Sequence, residues 1–199
     1  MDRSVPLNLT FHVHACAVRV LLALFWRMRI IHPERRPADG GVIVAPNHQS
    51  YADPPVIGAA FPFKPVWFMA KRELFAYPLF GKYLRSLQAF PVDRGTADLR
   101  AFRTAVGILR SGGSVVLFPQ GARYREFSLE QIKPGFALLA RVGRADVLPV
   151  FLHNTDGMLR FRQIVVAVGN PISWRQSEEA IVGQYFQTMV ELRELINER

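Results

Sequence analysis

The stretch that decides the fold is residues 41–54, which read Gly-Val-Ile-Val-Ala-Pro-Asn-His-Gln-Ser-Tyr-Ala-Asp-Pro. Its first five residues are small or β-branched and predict a short buried strand, which Pro46 ends. The polar residues that follow include His48 and Asp53, five positions apart. Open α/β sheets place their chemistry at the carboxyl ends of their strands, so we interpret this stretch as the candidate active site.

A plainer interpretation of the same residues stays open at this point. Asp53 directly precedes Pro54, and an aspartate followed by proline is typical of a helix N-cap and its first helical position. His48 would then be an ordinary residue at a strand end. A single His–Asp pair does not separate these alternatives, so the rest of the chain has to decide.

The composition limits the classes of protein to which the chain can belong. Its 199 residues are most simply one domain, long enough to bury a core. Half of them are hydrophobic, and 25 basic against 16 acidic residues give a formal net charge of +9. Such a chain favours an anionic membrane, an acidic substrate or carrier, or nucleic acid as partner. Its single cysteine, Cys16, excludes an internal disulfide.

The N-terminal region is mostly apolar over residues 11–26. This segment is shorter than the roughly 20 residues of a spanning helix, and Arg19 lies in its middle, where a charge is costly. Because basic residues follow Trp26, we predict a helix at the membrane interface. Residues 1–31 are then a membrane-associating segment and residues 32–199 the main domain. Packing of the helix onto its own domain is the alternative.

Strand and helix patterns alternate along the rest of the chain. Further strands are predicted at residues 63–70, 114–118, 147–152 and 164–168, with a short one ending near Phe90. We expect Thr96 to cap a helix that runs to Arg110, and a packing helix to begin at Ser177. The prediction is therefore an α/β fold, a layered α/β/α domain with a mixed, largely parallel sheet.

Two arginines follow predicted strand ends in the same way as His48. They are Arg94 and Arg123. If the strands are parallel, all three side chains emerge at one edge of the sheet. Guanidinium groups match phosphate oxygens with paired donors, so two of them beside a His–Asp pair indicate a phosphate-binding site.

Four ordered blocks give the chain a resemblance to the glycerolipid acyltransferase family, including its bacterial 1-acylglycerol-3-phosphate acyltransferases. They are the N-H-x-x-x-x-D pattern at 47–53, the stretch 71–94, Phe-Pro-Gln-Gly-Ala-Arg at 118–123, and Val-Leu-Pro-Val at 147–150. Each block is weak alone. Four in the family's order and spacing are a specific signal, covering roughly residues 40 to 155.

The resemblance implies transfer of a fatty acyl group from acyl-coenzyme A or acyl carrier protein to 1-acylglycerol 3-phosphate, giving phosphatidic acid. His48 would be the general base on the acceptor hydroxyl, and Asp53 would fix its tautomer and stabilise the imidazolium. No covalent acyl-enzyme is expected, because the sequence has neither a G-x-S-x-G motif nor a placed cysteine. The thioester is a co-substrate, and neither a cofactor nor a metal is implied.

The resemblance also implies binding residues. Arg94 and Arg123 would hold the acceptor phosphate, with Lys71 as a further candidate. Backbone amides near Gly121 would bind the phosphate or the oxyanion. Gln120 of the same block is assigned to the substrate-binding group.

The third block departs from the family pattern. Gln120 stands where glutamate is usual, Ala122 where threonine is usual and Tyr124 where serine is usual. Glutamine keeps the reach of glutamate, loses its charge, and donates as well as accepts. The acceptor head group is therefore open, with another lysolipid as the first alternative.

Other classes of protein remain as alternatives. An inactive membrane-binding member of the family and a hydrolase are two of them. A nucleic-acid-binding protein is disfavoured, since the basic residues are scattered and no recognition motif is present. The expected partners are a lysophospholipid, acyl-coenzyme A or acyl carrier protein, and an anionic membrane, with the protein on the cytoplasmic face of the plasma membrane.

Overall fold

The computed structural model describes residues 8–37, 40–62, 66–93 and 98–198. Within them, seven strands form one sheet: Arg29–Ile31 (β1), Ile43–Pro46 (β2), Val66–Lys71 (β3), Ala89–Val92 (β4), Ser114–Val116 (β5), Val147–His153 (β6) and Val165–Val168 (β7). The same residues form six α-helices: Leu9–Trp26 (α1), Asp53–Ala60 (α2), Pro78–Ser86 (α3), Leu99–Arg110 (α4), Gly135–Gly143 (α5) and Glu178–Asn197 (α6).

The sheet has the strand order β1-β7-β6-β2-β5-β3-β4. Strand β2 lies between β5 and β6 and is parallel to both, with Ile43 opposite Val115 and Val147. Strand β3 is parallel to β5 and β4, and β1 is parallel to β7, whereas β6 and β7 are antiparallel. The predicted mixed, largely parallel sheet is confirmed. The carboxyl ends of β2 to β6 therefore share one edge.

Alternate residues of the central strands face two separate cores. Ile43 and Val115 face one core, which contains the buried faces of α4, α5 and α6. Val44 and Val116 face the other, which contains those of α1 and α2. A strand buried on both faces is apolar at successive positions, which is why the sequence shows short continuous apolar runs here. The resulting layers confirm the predicted α/β/α arrangement.

Helix α1 packs on the domain with one face and exposes the other. Its buried residues are Phe11, Ala15 and Leu22. Arg19 donates to the carbonyl oxygens of Ala59 and Ala60 at 3.3 and 3.4 Å, so the charge within the apolar segment satisfies the end of α2. The opposite face exposes Leu9, Val13, Val20, Leu21, Leu24 and Phe25. By length and composition alone, the helix is also apolar enough to cross a membrane.

Several predicted boundaries differ from the structure. Residues 29–31 form β1 and pair with β7, although the sequence assigned them to the membrane-associating segment. The division of the chain at residue 31 stays a prediction. Helix α4 begins at Leu99, and Asp98 is its cap, because its Oδ1 accepts from the amides of Arg100 and Ala101 at 3.0 Å. Thr96, the predicted cap, lies outside the described residues.

Candidate active site

The chain leaves the sheet at Asn47, whose side chain continues the strand pairing of β2. Its Nδ2 donates to the carbonyl oxygen of Leu152 at 3.0 Å, and its Oδ1 accepts from the Leu152 amide at 2.6 Å. The carboxamide thereby satisfies both backbone groups of Leu152 beyond the last pair of β2 with β6, Pro46 with Val150. Asn47 is buried, so this contact fixes the exit point one residue before His48.

The predicted His–Asp pair is in contact. Nδ1 of His48 lies 2.7 Å from Oδ2 of Asp53, and both side chains are buried. The same oxygen accepts from the amides of Gln49 and Ser50 at 2.7 and 2.8 Å. Three donors thus converge on Oδ2, whereas Oδ1 is buried and receives no hydrogen bond from the described residues.

The contact fixes what each nitrogen of the imidazole can do. A carboxylate oxygen only accepts, so Nδ1 carries the proton and Nε2 presents its lone pair. Nε2 of His48 makes no hydrogen bond with the described residues. This arrangement leaves one imidazole nitrogen ready to accept a proton from a bound hydroxyl.

The alternative interpretation of Asp53 as the N-cap of α2 is wrong. Asp53 is the first residue of the helix, and Ala52 occupies the cap position without a side-chain hydrogen bond. The carboxylate instead turns back onto the preceding loop, where it accepts from the amides of Gln49 and Ser50. Its place at the start of the helix is favourable for a negative charge, because the helix dipole is positive there.

The loop after β5 closes on His48 from the other side. The ring of Phe118 stacks on the imidazole, with centroids 4.1 Å apart and planes at 26°. Oε1 of Gln120 accepts from the His48 amide at 2.8 Å, and the amide of Tyr124 donates to the His48 carbonyl at 2.9 Å. The first and third sequence blocks therefore meet at this histidine, as expected from parallel strands.

Gln120 lies behind His48 and not on an open surface. Its side chain is 1% exposed, and its Nε2 donates to Oε1 of Gln131 at 2.7 Å. Both polar ends of the side chain are therefore bonded to the protein. The sequence grouped Gln120 with the substrate-binding residues, and that assignment stays a prediction.

Gly121 makes the turn that carries this loop past the site. Its φ is +67°, a conformation that a residue with a Cβ rarely adopts, and its amide donates to the Phe118 carbonyl at 3.0 Å. Its own N–H is thus used within the turn. The following amides, of Ala122 and Arg123, make no hydrogen bond with the described residues and are free to donate.

Two of the three predicted cationic residues, Lys71 and Arg123, lie at the same edge but are held more loosely. Arg123 is exposed, and its guanidinium lies 3.5 Å from the ring centroid of Tyr51, which is 84% exposed. Lys71 ends β3 and pairs with exposed Glu73 at 3.0 Å. Arg94 lies outside the described residues, although the parallel strand before it ends at this edge.

Sequence reasoning missed residues whose roles depend on distant contacts. The sequence motif contains Asn47 without a predicted role, and no functional role was predicted for Gln131 or Lys133. The side chain of Lys133 packs against Gly121, with its Nζ 3.1 Å from the position that a Cβ would take. A carboxamide directly after a strand end was an available signal for Asn47, whereas nothing local marks Gln131.

A second histidine lies at the same edge of the sheet. His153 is the last residue of β6 and is half-buried. Burial lowers its pKa, as does nearby Arg162, while Asp156 acts in the opposite direction. Among the described residues it has no carboxylate hydrogen bond like that of His48 with Asp53, so it serves as a natural comparison for the catalytic candidate.

The family of the chain follows from this geometry together with its sequence. The sequence model of the acyltransferase family matches residues 27–153, which are more than half of the 199 residues. The match includes both of the blocks that meet at His48. The chain therefore belongs to the acyltransferase family, as the resemblance of its four blocks predicted.

Its relatives carry more specific names. The 1-acyl-sn-glycerol-3-phosphate acyltransferase of Bacillus subtilis is 32% identical over 161 residues, which are 79% of this chain and 80% of that protein. The protein of the same name from Streptococcus pneumoniae is 32% identical over 135 residues, 66% of this chain and 49% of that protein. The crystal structure of the 1-acyl-sn-glycerophosphate (LPA) acyltransferase from Thermotoga maritima matches with a TM-score of 0.77 and 25% identity, covering 94% of this chain and 79% of that one.

Proposed function

We propose that the protein transfers a fatty acyl group from an acyl thioester to the free hydroxyl of 1-acyl-sn-glycerol 3-phosphate, forming phosphatidic acid. The observation that carries the proposal is the buried contact between His48 and Asp53, with no described residue hydrogen-bonded to Nε2 of the imidazole. The names of the relatives supply the acceptor.

The reaction needs one base and no covalent intermediate on the enzyme. Nε2 of His48 accepts the proton of the acceptor hydroxyl while its oxygen attacks the thioester carbonyl carbon. The carbon–sulfur bond then breaks, and the imidazolium returns the proton to the departing thiolate. The products are an ester and a free thiol. Asp53 stabilises the imidazolium and keeps the ring in place.

The acceptor phosphate is the natural ligand of the cations at the sheet edge. The guanidinium of Arg123 has paired N–H donors that match phosphate oxygens. To bind them, the guanidinium moves away from the ring of Tyr51. Lys71 adds a second positive charge, and Arg94 a third by its place in the sequence. The amides of Ala122 and Arg123, which no described residue accepts from, are suited to the phosphate or to the thioester oxyanion.

The donor and the acceptor both suit a basic protein at a membrane. The net charge of +9 favours an anionic lipid surface, and also favours acyl-coenzyme A or acyl carrier protein as donor. The exposed apolar face of α1 then lies in the interface of the cytoplasmic leaflet, while its buried face holds the domain. No metal or cofactor takes part in the proposed reaction.

The direct test is turnover by the detergent-purified protein. Lysophosphatidate is supplied with palmitoyl-coenzyme A or with palmitoyl acyl carrier protein, and phosphatidic acid is measured. His48→Ala should lower kcat by about 10²- to 10⁴-fold, the usual contribution of a positioned base. His153→Gln is the matched control and should keep the wild-type rate. Undiminished activity in His48→Ala would refute the assigned base.

One observation keeps a second acceptor class in view. The third block has Gln120 and Ala122 at positions where the family pattern has glutamate and threonine, next to the loop that carries Arg123. The same assay should therefore include lysolipids with larger head groups, such as lysophosphatidylglycerol and lysophosphatidylethanolamine. Turnover of these without turnover of lysophosphatidate would replace the proposed acceptor and keep the class of reaction.

A further inference from the structure

A chain of three hydrogen-bonding groups lies behind the imidazole. The amide of His48 donates to Oε1 of Gln120 at 2.8 Å, and Nε2 of Gln120 donates to Oε1 of Gln131 at 2.7 Å. Gln120 is buried, whereas Gln131 ends the short 3₁₀ helix Leu129–Gln131 and is half-buried. These two hydrogen bonds link His48 to Gln131, which lies 83 positions further along the sequence.

In this series of hydrogen bonds each group donates to the next, from the His48 amide through Gln120 to Gln131. The His48 amide has only a proton to offer, so Gln120 must turn its oxygen toward it. The amino group of Gln120 then faces Gln131, which must present an acceptor. If Gln120 turned its carboxamide over, two N–H donors would face each other in a buried place, which is costly.

A carboxylate at position 120 would not have this requirement. Both of its oxygens accept, so it would satisfy the His48 amide in either orientation and would take a donor on its other side. With glutamine at this position, the orientation of the group that holds His48 depends on the residue at 131. Glutamine in place of glutamate at position 120 therefore makes Gln131 part of the support of the site, although Gln131 is far from His48 and Asp53 in the sequence.

We propose that Gln131 is a positioning residue for His48, acting through Gln120. By accepting from Nε2 of Gln120, it fixes the carboxamide in the orientation that accepts from the His48 amide, and so holds the imidazole against Asp53. This inference rests on the proposed role of His48 as the base. Gln131 touches neither the imidazole nor Asp53 among the described contacts.

The test inverts the hydrogen-bonding role of position 131. Gln131→Lys replaces an acceptor by an ammonium group that only donates. Its effect is measured in two backgrounds, the natural chain and the Gln120→Glu variant, whose carboxylate accepts from both sides. Gln184→Lys is the matched control. Gln184 lies on α6 and accepts from Nε2 of Gln176, which lies just before that helix, at 3.0 Å in an exposed pair.

In the natural background, Gln131→Lys should lower kcat by roughly 10- to 100-fold, because a displaced base loses its alignment, and should change the KM for lysophosphatidate by less than about threefold. In the Gln120→Glu background, the same substitution should lower kcat by less than about threefold. Gln131→Glu keeps an acceptor and should retain kcat within about threefold in the natural background. An equal loss from Gln131→Lys in both backgrounds, or no loss in either, would overturn the inference.

A second readout separates this inference from the proposed function. Hydrogen–deuterium exchange of the His48 amide reports its bond to Gln120 without any turnover. Exchange should be faster in Gln131→Lys than in the natural chain, and should slow again when Gln120→Glu is added. Absence of acyl transfer by the natural protein contradicts the proposed function alone, whereas unchanged exchange in Gln131→Lys contradicts the role of Gln131.

Discussion

The two sides of the sheet edge differ in how firmly the structure holds their side chains. On the side proposed for proton transfer, His48 is buried and held by Asp53, Phe118, Gln120 and the Tyr124 amide. On the side proposed for phosphate binding, the described cations are exposed and their described partners are exposed as well, as in the pairing of Lys71 with Glu73. Exposed ion pairs contribute only about 0–1 kcal/mol each, so these cations move at little cost.

Under the proposed function, this difference gives the two sides separate tasks. A base that is fixed before the substrate arrives needs no rearrangement during the reaction. Cations that are loosely held can adapt to the head group that they bind, and can be exchanged without damage to the fold. The contrast predicts that substitutions on the buried side affect kcat or stability, whereas those on the exposed side affect KM.

The largest effect is expected from Asp53→Asn. The amide oxygen of asparagine can still accept from the loop amides of Gln49 and Ser50, so the variant should fold. The same oxygen also accepts from Nδ1 of His48, but the imidazolium loses its counter-charge, so kcat should fall by about 10²- to 10⁴-fold at nearly unchanged KM.

Steady-state kinetics with lysophosphatidate measure this effect, with Asp156→Asn as the control. Asp156 is an exposed aspartate beside the second histidine, and its substitution should keep the wild-type rate. A rise of KM without a fall of kcat in Asp53→Asn would place Asp53 on the binding side and break the contrast.

The next effect concerns the exposed side. Arg123→Ala should raise the KM for lysophosphatidate by about 10- to 100-fold and change kcat much less, because a bidentate contact with phosphate is lost. Arg125→Ala, at an exposed arginine two positions further on, is the control and should have little effect. Loss of kcat at constant KM in Arg123→Ala would mean that this arginine acts on the reacting groups.

The buried side also contributes to stability, through Asn47. Asn47→Ala leaves the amide and carbonyl of Leu152 without partners at a buried strand end, which should lower the free energy of unfolding by about 1–3 kcal/mol. Denaturant unfolding followed by circular dichroism measures this change. Asn170→Ala, at an exposed asparagine, should be nearly neutral, and equal stability of the two variants would contradict the proposed support of the loop.

The sequence predicted the features that local patterns determine. Apolar runs marked most strands of the sheet, and the polar residues directly after β2 marked His48 and Asp53, which the structure places in contact. The three-residue strand β1 was missed because its pairing with β7 involves residues far apart in sequence, and a segment of that length has no periodicity to detect.

Contacts between distant residues account for the other differences. Asp53 was interpreted as a possible cap because only its neighbours in sequence were visible, whereas the structure directs its carboxylate to the loop before it. In the sequence, Arg19 resembled an interruption of a membrane segment, whereas in the structure it donates to carbonyl groups at the end of α2. Gln131 has no local signal at all, since its role arises only from the contact with Gln120.

The smallest effect separates the two histidines of the edge. Burial lowers the pKa of His153 below its ordinary value of 6.5, so the folded protein binds this proton less readily than the unfolded chain does. The protein therefore has its full stability above pH 6.5 and loses part of it as the pH falls below 6.5. Because His153 is half-buried, solvent screens the effect and keeps it small.

His153→Gln removes this titration. Between about pH 8 and pH 5, the Tm of the variant should fall by roughly 1–2 °C less than that of the natural protein. Thermal scans across the pH series measure the difference, and turnover at pH 8 should be unchanged. A large loss of turnover would show that His153 also takes part in proton transfer. The proposed division between a buried side for proton transfer and an exposed side for binding would then have to include both histidines.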